Sequence, residues 1–230
     1  MSKCIVTYAE GAHEELLEVA LPTYKRFADL HGYVLHVGKK LVSNPPAWNK
    51  VPLLLDALKD YEEVVWFDCD MVVVDPSEDF PALIKLHAMV RHFEDNSEVP
   101  NSGVWRLQRS HRELNSKDLL NLMLQLEVFR DHGWYEQAAL LTLMGYAIPP
   151  EGSHFPDTKC KNVRQTRWYN SCQFMRLCWN SHPGYRADHP RIVHCSYDNM
   201  PLRLDVMRAL VKDPHYNYPR RESKKDGDDV

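Results

Sequence analysis

The chain has 230 residues, a formal net charge of −4 at neutral pH, 44% hydrophobic and 26% charged residues. That length accommodates one sizeable core, and the balance of apolar and charged side chains excludes a disordered or fibrous chain. The acidic charge argues against a general basic surface for nucleic-acid phosphates, and no run approaches the roughly 18 consecutive apolar residues of a membrane span.

A single domain over residues 1–214 is expected, followed by a charged, flexible tail at 215–230. The opening MSKCIVTY enters a strand with no apolar leader before it, which points to a cytoplasmic setting. Six cysteines without a C-x-x-C spacing are read as reduced, the ones in apolar runs as small buried thiols.

Cys4–Tyr8 is short and β-rich, and the following EGAHEELLEVALPTYKRFADLHG repeats apolar residues at helical spacing until Gly32. Tyr33–Gly38 is again β-rich, so the first forty residues spell a β-α-β unit of the kind that builds a parallel sheet. After a Pro-containing loop at 44–46, Lys50–Tyr61 places Leu53, Leu54, Ala57 and Leu58 on one helical face. Val64–Phe67 then reads as a strand buried on both faces.

A helix over Pro81–His87, a strand over Ala88–His92, the turn-rich EDNSEVPNSG and a strand over Val104–Leu107 follow. Ser116–Arg130 and Tyr135–Met144 read as helices separated at Gly133. Beyond Pro149 the pattern is irregular, with Lys159, Lys161, Arg164, Arg167, Trp168 and Tyr169 forming a basic-aromatic stretch. Arg191–Tyr197 is extended and Leu202–Val211 a final helix. The order gives an α/β fold with a mixed, mostly parallel sheet flanked by helices.

Asp68 and Asp70 stand two apart in an extended segment, so their side chains share one side while Cys69 points to the other. Two carboxylates so close resist ionisation unless a cation lies between them, and hard oxygen ligands suit Mn²⁺ or Mg²⁺. The plain alternative is a capped loop with a turn begun by Asp75-Pro76. Position favours the metal, because open α/β sheets bind ligands outside the carboxyl ends of their strands. By the same rule the Tyr8–Gly11 turn, at the carboxyl end of the first strand, is a place for a ligand.

WFDCDMVVVDP resembles the Asp-x-Asp strand of GT-A (Rossmann-like) glycosyltransferases, especially the glycogenin-like and galactosyl- or xylosyltransferase families. Other segments agree in order over roughly residues 4–197: AWNKVPLLLDAL with Lys50, NSGVWRL with Asn101 and Gly103, WYEQAAL with Glu136 and Gln137, RWYNS with Trp168 and Asn170, and IVHCSY with His194. Two departures stand out: Glu136 where the family more often has Asp, and Cys195-Ser196 after the histidine.

The resemblance implies a divalent-metal-dependent, retaining hexosyl- or pentosyltransferase that uses a nucleotide-sugar donor, a UDP-sugar foremost. It implies a metal site of Asp68, Asp70 and His194, donor contacts from Tyr8, Lys50, Asp68, Asn101, Gly103, Trp168 and Asn170, and Glu136 with Gln137 near the reacting carbon. A carbohydrate or small-molecule acceptor ranks above a modified nucleic acid, given the acidic net charge.

Each supporting residue has a plainer reading. His194 in an apolar run suits a core histidine, Lys50 a solvated helix start, Asn101 and Gly103 turn residues, Glu136 and Gln137 a helix N-terminus, and Trp168 a packed aromatic. The rival functions are a metal-dependent phosphoesterase or nucleotidyltransferase and a non-catalytic nucleotide-sugar-binding protein.

Overall fold

The β-rich run at the N-terminus forms β1 (Lys3–Thr7), and the helical periodicity after it forms α1 (Glu14–His31), closed by Gly32 in the left-handed conformation at φ 70°. The computed structural model describes residues 2–40, 45–94, 97–148 and 161–220. The chain continues through β2 (Val34–Val37), α2 (Lys50–Asp60), β3 (Glu63–Phe67), β4 (Met71–Val73), β5 (His87–Glu94) and β6 (Ser97–Gln108). A hairpin of β7 (Ser110–His111) and β8 (Leu114–Asn115) leads to α3 (Ser116–Gln125) and α4 (Tyr135–Met144). The remaining elements are β9 (Tyr146–Ala147), β10 (Lys161–Asn162), α5 (Arg167–Asn170), β11 (Cys172–Met175), β12 (Ile192–His194) and α6 (Met200–Lys212).

Six strands make the central sheet in the order β11-β5-β6-β3-β1-β2. β2, β1 and β3 run parallel, as do β5 and β11, and β6 lies antiparallel between β3 and β5. The sheet is therefore mixed and mostly parallel, as expected.

Strand alternation explains the two-sided core. Val65 and Phe67 of β3 pack with Leu16, Tyr24 and Phe27 of α1 and Leu204 and Met207 of α6. Val64 and Trp66 pack on the other face with Leu54 and Leu58 of α2, Leu119 and Met123 of α3, and Leu140 and Leu141 of α4.

The helix expected over Pro81–His87 is absent. Residues 81–86 are irregular, and their backbone is satisfied by side chains of neighbouring strands. Ile84 N–H donates to Gln173 Oε1 at 3.0 Å, Gln173 Nε2 donates to Ala82 O at 3.1 Å, and Arg106 Nη1 donates to Pro81 O at 2.6 Å. β6 takes in residues 97–103, which turn-forming residues mark as a loop, because β5 pairs with them across a bulge between Met89 and Val90. α3 stops at Gln125, with a separate 3₁₀ turn at Glu127–Phe129 instead of one helix to Arg130.

After α6 the chain stays against the body where a frayed segment is expected. Tyr218 is buried, its hydroxyl 2.9 Å from that of Ser181, and Tyr197 donates to Pro219 O at 2.6 Å. Residues 221–230 of the expected tail, the irregular run 149–160 and Lys159 with Cys160 lie outside the described residues. The other five cysteines are unpaired, and among the described residues no helix is long and apolar enough to cross a membrane.

Candidate active site

β3 ends at Phe67 and delivers Asp68-Cys69-Asp70 to the carboxyl edge of the sheet. The loop is fastened from several directions. Tyr24 of α1, fully buried, donates its hydroxyl to Asp68 O at 2.6 Å and reaches Met71 O at 3.0 Å. Asp68 N–H donates to Gly103 O at 3.0 Å, and Cys195 N–H donates to Asp70 O at 2.8 Å. β12 pairs with β4 in a register that sets His194 opposite Met71, which brings a side chain 124 positions downstream beside the aspartates.

The two aspartates are oriented alike. One oxygen of each is held by a protein donor and the other faces the shared space. Asp68 Oδ1 accepts from Trp66 Nε1 at 2.6 Å and lies 3.1 Å from Lys50 Nζ. Asp70 Oδ2 accepts from Arg203 Nη1 at 3.1 Å. Their free oxygens meet His194 Nε2, at 4.0 Å for Asp68 Oδ2 and 3.3 Å for Asp70 Oδ1.

One ligand atom from each of Asp68, Asp70 and His194 lies within 4.8 Å of the other two. Two carboxylate oxygens and an imidazole nitrogen converging this way fit a divalent cation such as Mn²⁺ or Mg²⁺. Gly103 makes the approach sterically feasible: a Cβ there would lie 2.5 Å from Met71 Cε and 2.8 Å from His194 Cε1.

Beside this set lies a buried polar network. Lys50, 4% exposed, pairs with Asp68 and with Glu136 Oε1 at 2.6 Å, and donates to Ser102 Oγ at 3.1 Å. Gln137 Oε1 accepts from Ser102 N–H at 2.9 Å, and Asn101 Oδ1 accepts from Gly103 N–H at 2.9 Å and Asn180 Nδ2 at 2.8 Å. The solvated reading of Lys50 is thereby excluded: the start of α2 aims it inward as the cation between two carboxylates.

These surroundings set the charges. Burial opposes ionisation of Lys50, but Asp68 and Glu136 outweigh it and hold the ammonium above its ordinary range. Burial pushes the Glu136 carboxyl up, and Lys50 reverses this only in part because Asp68 adds to it. Burial also works against the charged form of Asp70, yet His194 and then Arg203 hold its carboxyl well below the usual range. His194, whose burial favours the neutral ring, is raised by Asp70 and Asp68.

A cleft of about 620 Å³ opens over this cluster, lined among others by Tyr8, Glu10, Lys50, Asp68, Asp70, Asn101, Glu136, Gln137 and His194. Its floor follows the sheet edge: the C-terminal ends of β1, β3 and β5 and the N-terminal half of β6. Tyr8 donates its hydroxyl to Glu10, which also pairs with Lys40.

Two expected donor residues stand apart from the cleft. Trp168 is buried in the core beneath α4, its carbonyl accepting from His87 Nε2 at 2.9 Å, and Asn170 is exposed at the end of α5. Their segment feeds β11, the outermost strand on the side of the sheet away from β1. Arg203, Ser102, Trp66 and Tyr24 are site residues that sequence reasoning misses. Ser102 and Trp66 carried a signal, Ser102 lying between Asn101 and Gly103 and Trp66 opening the WFDCD segment.

No family model and no curated protein matches the chain. Solved structures do. A glycosyltransferase involved in glycosylation of the major capsid of PBCV-1 matches with a TM-score of 0.65 and 13% identity, covering 91% of this chain and 100% of that one. Glycosyltransferase GlyE of Streptococcus pneumoniae TIGR4 matches with a TM-score of 0.55 and 14% identity, covering 97% of this chain and 66% of that one. Galactosyltransferase LgtC, in complex with donor and acceptor sugar analogues, matches with a TM-score of 0.52 and 11% identity, covering 90% and 95%. At such identities the likeness speaks for the fold.

Proposed function

We propose that this chain, which has the GT-A glycosyltransferase fold, is a metal-dependent glycosyltransferase. It moves a hexosyl or pentosyl group from a nucleotide-sugar, a UDP-sugar foremost, to an acceptor hydroxyl, with retention. The carrying observation is the convergence of Asp68 Oδ2, Asp70 Oδ1 and His194 Nε2 at the carboxyl end of β3, inside a cleft large enough for a nucleotide sugar. The glycosyltransferase names of the matched structures agree with this reading. We further propose that the chain acts as one domain in a cytoplasmic setting, its boundary lying beyond the expected residue 214 because Tyr218 is buried in the core.

A divalent cation held there supplies Lewis-acid compensation for the diphosphate leaving group. The chain's own residues do the rest. Lys50 and Arg203 each hold one carboxylate oxygen, of Asp68 and of Asp70, and leave the other turned toward the shared space. Tyr8, on the β1 side of the cleft, offers a ring and a hydroxyl to the nucleoside. Glu136 and Gln137, fixed through Ser102 and Lys50, border the sugar. Anomeric coupling in the product tests retention.

The phosphoesterase reading needs further carboxylates around a second metal. Asp75 is paired with Arg191 at 2.9 Å, and Asp79 is committed to Lys3 at 2.7 Å and Tyr33 at 3.0 Å. Neither lines the cleft, and of the carboxylates that do, Glu10 is paired with Lys40 and Glu136 with Lys50. Nucleoside-diphosphate release from a panel of nucleotide sugars, with Mn²⁺ or EDTA, tests the proposal. Release that needs the metal and vanishes in Asp70→Ala supports it, and release indifferent to both overturns it.

A further inference from the structure

Two non-glycine residues among those described hold a left-handed backbone, Arg112 at φ 54° and Tyr135 at φ 45°. Arg112 lies in the two-residue turn between β7 and β8, where a positive φ is what a tight hairpin needs. Tyr135 is another matter. It opens α4, a place that calls for no such angle, and its bulky side chain makes the angle costly.

The preceding turn enforces it. Trp134 N–H donates to His132 Nδ1 at 3.0 Å, Tyr135 N–H to His132 O at 2.8 Å, and Gln137 N–H to Trp134 O at 2.9 Å. Trp134 is half-buried against the core, so the turn is anchored. Strain that is over-determined in this manner gathers at ligand sites. Here it sets an aromatic ring, 37% exposed, on the cleft wall one residue before Glu136 and two before Gln137.

We propose that Tyr135, backed by Trp134, is the platform that receives the acceptor, and that the acceptor is an uncharged glycoside. This deepens the transferase reading and rests on it. A pyranose presents an apolar C–H face, which packs on an aromatic ring and leaves its hydroxyls free for polar neighbours. The position is apt, since Glu136 and Gln137 follow directly and the β1 side of the cleft is taken by the nucleoside in that reading.

The charge pattern selects against a polyanion. Among the described residues, the Lys and Arg side chains that line the cleft, Lys50 and Arg203, are each committed to carboxylates, while Glu10, Asp68, Asp70, Glu136 and Asp198 also line it. With the metal-site cation serving the donor diphosphate, a nucleic-acid or polyphosphate acceptor would find no uncommitted Lys or Arg in the lining among the described residues.

The test uses the full chain with Mn²⁺ and nucleotide sugars, p-nitrophenyl glycosides as probe acceptors, and oligonucleotides as the contrasting class. Transfer to acceptor and hydrolysis of donor by water are measured together, with Tyr135→Ala, Tyr135→Phe and Tyr135→Gly. We expect transfer to at least one glycoside, and a transfer-to-hydrolysis ratio lowered about tenfold or more in Tyr135→Ala and Tyr135→Gly through a raised acceptor KM. Tyr135→Phe should keep the ratio. Tyr135→Gly should also raise the melting temperature, since it relieves the backbone, which separates a binding role from a structural one.

An unchanged ratio, or transfer and hydrolysis falling together, would overturn the platform. Donor hydrolysis with transfer only to oligonucleotides, or to no glycoside, would overturn the acceptor class. Absence of both hydrolysis and Mn²⁺-dependent nucleotide binding would instead overturn the transferase reading beneath it.

Discussion

Replacing Lys50 with Met is the sharpest perturbation of the buried network, because it removes the cation and keeps an unbranched apolar stem. Lys50 is 4% exposed and pairs with Glu136, 6% exposed, at 2.6 Å, and with Asp68, 29% exposed, at 3.1 Å. Breaking a buried pair by removing one partner typically costs about 3–5 kcal/mol. Water reaches Asp68 and screens that half, so the lower end, about 3 kcal/mol, applies here. For a domain of this size such a loss lowers the melting temperature by roughly 6–12 °C.

The pH dependence follows from Glu136, whose folded pKa is raised by burial even with Lys50 present. A carboxyl raised on folding binds its proton more tightly in the native state, so it disfavours folding above its folded pKa and that cost disappears as pH falls. The Lys50→Met deficit should therefore shrink between pH 7.5 and pH 5. Urea unfolding in EDTA, followed by tryptophan fluorescence, measures it. Adding Glu136→Gln should restore at least half of the loss. A deficit under about 1 kcal/mol, or no recovery in the double variant, would refute the ion-pair account.

Mn²⁺ affinity should rise from pH 6 to pH 8 with proton release, because His194 must be neutral to ligate and its pKa is raised by Asp70 and Asp68; calorimetry in two buffers of different ionisation enthalpy checks this. Without metal, the stability His194 contributes is present below its unfolded value near pH 6.5 and is lost as pH rises through its raised folded pKa. Gly103→Ala should cost about 1–3 kcal/mol by overpacking against Met71 and His194 and weaken Mn²⁺ binding in the same protein; normal affinity would contradict the close approach. Tyr24→Phe strips the hydroxyl from Asp68 O and Met71 O, and thermal unfolding should show a loss of about 1–2 kcal/mol.

The sequence carried the site's skeleton where the signal was local. An apolar run ending in Asp-x-Asp is readable in place, because strand alternation fixes side-chain direction over a few residues, whereas Lys50 and the WYEQ segment were singled out by their resemblance to family motifs. His194 was ambiguous from its apolar neighbours, and only the antiparallel pairing of β12 with β4 puts it on the aspartates.

Contacts between remote side chains left no trace in the pattern. Arg203 looks like any first-turn arginine until α6 docks it on Asp70, and Tyr24 looks like one more core-facing residue of α1. Trp168 and Asn170 were placed by motif order alone, which says nothing about the sheet edge their segment joins. The helix expected at 81–87 fails for a related reason, since its backbone partners, Gln173 and Arg106, sit on other strands.

The central claim is that Asp68, Asp70 and His194 form a metal-dependent nucleotide site. A thermal-shift series of nucleoside diphosphates, with and without Mn²⁺, on the wild type and Asp70→Asn tests it most directly, because a ligand bound only by the native state raises its stability. The account predicts a melting-temperature rise for at least one nucleotide that requires Mn²⁺ and is lost in Asp70→Asn. No rise with any nucleotide, or the same rise without metal or in the variant, would contradict it.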